Sequence, residues 1–169
     1  MWLCIMSKII ETKRFDDEGI IRLWREAFGD SREDIEFFLD SCEYKSILCC
    51  YNDNEQLCSM LFLVDASVNS ERYKYIYAAC TLKEYQHLGL MTDLLDFAKS
   101  NYSRIILIPA NSTLADYYIK RDFTNKIDIK NISFFEIEDI EEYLFEGCEL
   151  SEPFALAYKG EGYGLFIFS

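Results

Sequence analysis

A mixed α/β domain is the fold class that this sequence predicts, and three observations predict it. Helical and strand periodicities alternate along the chain, a strand–glycine–helix–strand unit lies near its middle, and hydrophobic residues make up 50% of 169 positions. One domain suffices for this length, and such a chain buries on the order of 70% of its unfolded surface. The reading is therefore a single domain over 1–169. Residues 1–6 read as a candidate upstream extension, with Met6 a second start and Ser7–Thr12 a natural first strand.

The elements follow in order. Asp16, Asp17 and Glu18 supply a cap and first-turn acids, and Ile20, Leu23, Trp24, Ala27 and Phe28 keep helical spacing until Gly29. Ser31 with Asp34 reads as a capping box for a second helix, whose stripe is Ile35, Phe38, Leu39 and Cys42. The period then shortens. Ile47–Tyr51, the turn at Asn52–Asn54 and the apolar run Leu57–Val64 predict a hairpin of buried strands. From Tyr73 to Leu82 the pattern alternates, with Tyr73, Tyr75, Tyr77, Ala79 and Thr81 on one face, which predicts the central strand.

Leu90, Leu94, Leu95 and Ala98 return to helical spacing, and Arg104–Pro109 reads as a short buried strand, giving a parallel crossover. Thr113 with Asp116 suggests a capping box for a further helix carrying Leu114, Tyr117 and Tyr118. Ile127, Ile129, Phe134 and Ile137 read as one extended segment. The acidic stretch Glu138–Glu149 has room for one or two helical turns. Phe154–Tyr158 and Tyr163–Phe168 predict a final hairpin about Gly160–Gly162.

Charge and cysteine content restrict the function. Thirty acidic against 17 basic residues leave a formal charge of -13, which argues against a nucleic-acid partner, since phosphate neutralisation needs clustered Lys and Arg. A cationic partner suits that field. Seven cysteines, an odd number without Cys-x-x-Cys spacing, and a single histidine point to free thiols in a reducing, cytoplasmic setting and to no metal. Met1–Met6 is too short and uncharged for a signal peptide. No apolar run reaches the roughly 20 residues that span a bilayer, so no membrane partner is expected.

The chemistry concentrates in Thr81-Leu82-Lys83-Glu84-Tyr85-Gln86-His87-Leu88-Gly89-Leu90-Met91-Thr92. A strand ends, a glycine bends the chain and a helix starts, which aims backbone N–H groups and the positive end of a helix dipole into one small space suited to phosphate. Gln86-His87-Leu88-Gly89-Leu90-Met91 resembles the pyrophosphate loop, Arg/Gln-x-x-Gly-x-Gly/Ala, of the GNAT superfamily of N-acetyltransferases. Ile76–Leu82 is similar to that family's fourth strand, and Pro109-Ala110-Asn111 through Tyr118 to Phe123 to its fifth-strand and fourth-helix segment. Met91 stands where the family usually has Gly or Ala, and Asp122 where a glycine commonly precedes the helix-ending Phe.

The resemblance implies a mixed, mostly antiparallel sheet with splayed fourth and fifth strands, flanked by about four helices. It also implies direct transfer of acetyl from acetyl-CoA, as co-substrate, to a primary amine in a ternary complex. By the same resemblance, main-chain groups of Ala79, Cys80 and Thr81 pair with the pantetheine arm. Gln86, His87, Leu88, Gly89, Leu90, Met91 and Thr92 hold the pyrophosphate, and Asn111 and Tyr118 face the sulfur. Backbone N–H groups of Cys80–Leu82 would stabilise the oxyanion. Tyr118 is the expected general acid, because an unperturbed pKa of about 10 keeps it protonated at neutral pH.

The strand Tyr73–Leu82 holds no carboxylate to act as base, which leaves a water chain, Asp65 or Glu71. The acceptor is expected to be a cationic small molecule or a protein amine, and the aromatic late strands would support a homodimer. The alternative is a non-catalytic acyl-CoA-binding or regulatory module of the same fold.

Overall fold

A computed structural model of the chain describes residues 8–160. In chain order the elements are β1 (Lys8–Thr12), α1 (Glu18–Phe28), α2 (Arg32–Ser41), β2 (Lys45–Tyr51), β3 (Leu57–Val68), β4 (Glu71–Thr81), α3 (Leu90–Asn101), β5 (Arg104–Leu107), α4 (Ser112–Ile119), β6 (Asn125–Ile127), β7 (Ile132–Phe134), α5 (Glu138–Phe145) and β8 (Ala155–Lys159). The strands form an 8-stranded sheet in the order β1-β2-β3-β4-β5-β8-β6, with β7 paired to β3. The β4–β5 pair is parallel, at Lys74↔Ile105 and Tyr75↔Ile106, as the crossover through α3 requires. The other pairings with a described register are antiparallel. Among the described residues, no helix is long and apolar enough to cross a membrane. The expected start at Met6 and the hairpin partner Tyr163–Phe168 lie outside the described residues.

The chain divides into two compact units. One runs to Leu63 and includes Tyr77–Phe97; the other joins Val64–Ile76 to the chain from Ala98 onward. The core of the first is aromatic: Trp24, Phe38 and Phe62 are fully buried, and the Trp24 ring lies 5.3 Å from Phe38 and 5.5 Å from Phe62. Two helix ends show why α1 and α2 sit where they do. Gly29 closes α1 at φ 73 and sends its N–H to the Arg25 carbonyl, a left-handed cap that favours glycine. Ser31 Oγ accepts from the Asp34 N–H and opens α2. Lys45, 6% exposed, donates from Nζ to the carbonyls of Leu39 and Cys42 at the far end of α2. A buried ammonium there satisfies carbonyls that the helix itself leaves open.

In the second unit Ile105, Ile106, Phe123, Ile140, Leu144 and Ala157 are buried. Two expectations change here. The segment expected to run from Ile127 to Ile137 divides, because Asp128 accepts from the Lys130 N–H and starts a turn at Ile129–Asn131; β6 then pairs with β8 and β7 with β3. The acidic stretch forms α5, the one or two helical turns expected there, with Ile140 and Leu144 on its buried side. Finally, the cap of α4 is Asn111, whose Oδ1 accepts from the Leu114 N–H at 2.9 Å, and not Thr113. Asn outranks Thr as a cap and sits one residue before the helix.

Candidate acyl-carrier site

The end of β4 departs from plain alternation. Ala78 has φ 51, a conformation uncommon for a residue with a Cβ. Before it Tyr73, Tyr75 and Ile76 are buried; beyond it Cys80 and Leu82 are buried, with Ala79 and Thr81 half-buried. Tyr77 packs its ring against Trp24 and Phe38 at 5.9 and 5.1 Å, so the last member of the tyrosine ladder belongs to the aromatic core of its unit.

Main-chain groups of this segment are partly committed. Ser59 Oγ donates to the Cys80 carbonyl and lies 2.7 Å from Thr81 Oγ1. Gln86 Nε2 donates to the Thr81 carbonyl at 3.3 Å, an internal brace for the loop. The Leu82 N–H, one of the expected oxyanion donors, instead donates to the Cys58 carbonyl at 2.8 Å. That correction leaves the N–H groups of Cys80 and Thr81 as the candidates.

Beyond β4 a short turn at Lys83–Tyr85 leads into the loop, with Gln86, His87, Leu88 and Gly89 exposed. Two of these residues are left-handed, His87 at φ 65 and Gly89 at φ 84. The Gly89 carbonyl accepts from the Asp93 N–H at 3.0 Å, so Gly89 occupies the cap position of α3. The N–H groups of Leu90 and Met91, in the first turn after it, have no intrahelical acceptor, and the positive end of the helix dipole lies at the same place. A Cβ built on Gly89 would meet nothing within 4 Å; the glycine serves backbone conformation here, not space. Leu90 is buried while Met91 and Thr92 are half-buried. This arrangement fits an anionic diphosphate through main-chain donors.

One acid near this segment has no sequence signal. Glu26 on α1 accepts from the Lys83 N–H through Oε2 at 3.4 Å. Burial, and secondarily the Glu26 charge, push the Cys80 thiol far above its usual range. Only the fold brings position 26 beside position 83. The two acids named from sequence are engaged in the second unit: Asp65 pairs with Lys74, while Glu71 lies 3.8 Å from Arg104 Nε and 3.5 Å from Lys159 Nζ.

The second unit also holds Asn111 and Tyr118. The Asn111 side-chain carbonyl is taken by its capping bond. Tyr118 is 8% exposed, with its ring 5.2 Å from Tyr117 and 5.9 Å from Phe123. It shares the buried side of α4 with Ala115, whereas Leu114, expected on the same stripe, is exposed. Asp122 adopts φ 74, the left-handed geometry for which a glycine is common. Lys99 Nζ braces that turn, donating to the Arg121 carbonyl at 3.2 Å and reaching Asp122 Oδ2 at 3.4 Å. Among the described residues, no group of three His, Cys, Asp or Glu suited to a metal occurs.

No protein-family model and no curated protein matches the chain. Solved structures do. An acetyltransferase of the GNAT family from Staphylococcus aureus superposes at TM-score 0.59 and 15% identity, over 90% of this chain and 98% of that one. The chain has the GNAT fold. A structure described as histone acetyltransferase and related acetyltransferase, from Corynebacterium glutamicum, shares that GNAT fold at TM-score 0.65 and 10% identity, over 91% and 96% of the two chains. N-acetylglutamate synthase from Neisseria gonorrhoeae, complexed with coenzyme A and N-acetylglutamate, matches at TM-score 0.58 and 17% identity, over 91% of this chain. This chain spans 35% of that synthase, and 17% of a fungal multi-domain β-N-acetylglucosaminidase with a glucosamine N-acetyltransferase region. At such identities the likeness is one of fold.

Proposed function

We propose that the protein is an N-acetyltransferase that moves an acetyl group from acetyl-CoA to a primary amine by direct attack. The observation that carries the proposal is the left-handed Gly89 capping α3 at the end of β4, where main-chain N–H groups and the helix dipole suit a diphosphate. The GNAT fold, and the coenzyme A held by the gonococcal synthase, support the same reading. Residues Gln86–Thr92 would hold the pyrophosphate, and main-chain groups of Ala79, Cys80 and Thr81 the pantetheine arm. Asn111 and Tyr118 would serve the sulfur end, Tyr118 as the acid that protonates the leaving thiolate.

Glu26 is the base in this proposal, taking the proton of the attacking amine, because its carboxylate accepts from the Lys83 N–H just beyond β4. Cys80 takes no covalent part: a buried thiol with a raised pKa supplies little thiolate at neutral pH. The acceptor is assigned as a protonated amine, gathered by the field of a chain at -13.

The test incubates purified protein with acetyl-CoA and a panel of polyamines, amino acids, aminoglycosides and lysine peptides, and follows free thiol. Amine-dependent thiol release is expected with at least one member. Stabilisation by CoA without thiol release on any amine would assign the protein instead to non-catalytic acyl-CoA binding. Neither stabilisation nor release would refute both.

A further inference from the structure

The second unit contains a half-open cavity of about 240 Å³, lined by Asp65, Arg72, Lys74, Tyr102, Arg104 and Phe135 among others. Its charge is unusual for this chain. Asp65 is neutralised by Lys74, and Glu71 by Arg104 and Lys159 together. Arg72 has no carboxylate within ion-pair distance among the described residues and lies over the Phe135 ring at 5.4 Å. The lining itself therefore carries three cations, Arg72, Lys74 and Arg104, against one acid, Asp65, a surplus of two positive charges in a protein whose net charge is -13.

The aromatic walls are set by the same residues, since Lys74 also lies over the Tyr102 ring at 5.1 Å. A guanidinium presents its N–H donors in a planar fork that suits carboxylate and phosphate. The volume falls below the roughly 300–1,000 Å³ of sites for drug-sized ligands, so it suits a small metabolite and not a nucleotide cofactor. Lys74 and Arg104 are about one-third exposed or less, at 27% and 33%, which weakens screening by salt.

We infer that this cavity binds a small dianion, a phosphate monoester or dicarboxylate on a short or flat carbon skeleton, with Arg72 and Arg104 as its main donors. This does not depend on the loop at Gln86–Thr92 binding CoA. Calorimetric titration of the full chain with phenyl phosphate and with succinate, at matched ionic strength, tests it and separates the two head groups.

Saturable one-to-one binding of at least one probe is expected. That binding should weaken about tenfold or more in Arg72→Gln and in Arg104→Gln, the loss of a charged hydrogen bond. Arg72→Lys, which keeps the charge without the fork, should fall between. Excess CoA and Gly89→Ala should leave the affinity unchanged. No saturable binding of either probe would overturn the inference. So would binding that survives both glutamine variants in folded protein, or binding that CoA displaces.

Discussion

Replacing Gly89 with alanine perturbs the loop at one dihedral and almost nothing else. The new methyl group meets no atom within 4 Å, so the cost comes from φ 84 and amounts to about 1–2 kcal/mol for an L-residue held left-handed. That cost can be expressed in two ways. If the loop keeps its shape, the strain appears as a melting temperature lower by about 2–8 °C for a chain of this size. If the loop relaxes to negative φ, stability is kept but the competent shape becomes rare, and CoA affinity falls by about 5–30-fold.

Calorimetric melting and CoA titration on the same preparations therefore have to account together for that 1–2 kcal/mol. Gly89→Asn, a residue that tolerates left-handed φ and caps helices well, should lose much less on both readouts. A Gly89→Ala protein that melts within a degree of the parent and also binds CoA equally tightly would show that the left-handed φ at this position carries no such cost.

Other outcomes follow from the same structure. Lys45→Met should lower stability by about 1.5–3 kcal/mol in urea unfolding, because the Leu39 and Cys42 carbonyls lose a charged donor; no change would mean that they gain nothing from the ammonium. Glu26→Gln should cut turnover about a hundredfold or more at neutral pH while leaving CoA affinity intact, the loss expected for a general base. Unchanged turnover would return the base to a water chain. Tyr118→Phe should lower turnover far more than it weakens acetyl-CoA binding, and equal activity would remove Tyr118 from its role. Stability should fall as pH rises above about 9, since burial pushes the thiols of Cys49 to about 12 and of Cys58 and Cys80 upward from 9.0. The unfolded chain then loses protons that the folded chain keeps. Melting temperatures measured from neutral to alkaline pH check that direction.

Features governed by neighbours in sequence were legible before the fold was seen. Gly29 ends α1, Ser31 caps α2, Gly89 precedes α3, and the β4–α3–β5 crossover is parallel, because caps, glycines and periodicity act within a few residues. Features set by distant partners were not. The division of Ile127–Ile137 depends on β8 and β3 offering separate edges, and Asn111 and Thr113 are both acceptable caps until the helix start is known. Ala78 carries no glycine or proline to announce its positive φ. Glu26 and Lys45 matter through contacts with residues 83, 39 and 42, and a charged residue on an amphipathic helix or at a strand start reads as solvated surface. The motif at Gln86–Met91 located the candidate loop, yet nothing in it indicated which acid lies beside it.

A crystal structure of the chain grown with CoA tests the central claim most directly. The pyrophosphate is expected within hydrogen-bonding distance of main-chain N–H groups of Gln86–Thr92, at the start of α3, with the pantetheine running along Ala79–Thr81. Pyrophosphate bound elsewhere, or no CoA at a concentration that saturates other proteins of this fold, would contradict it.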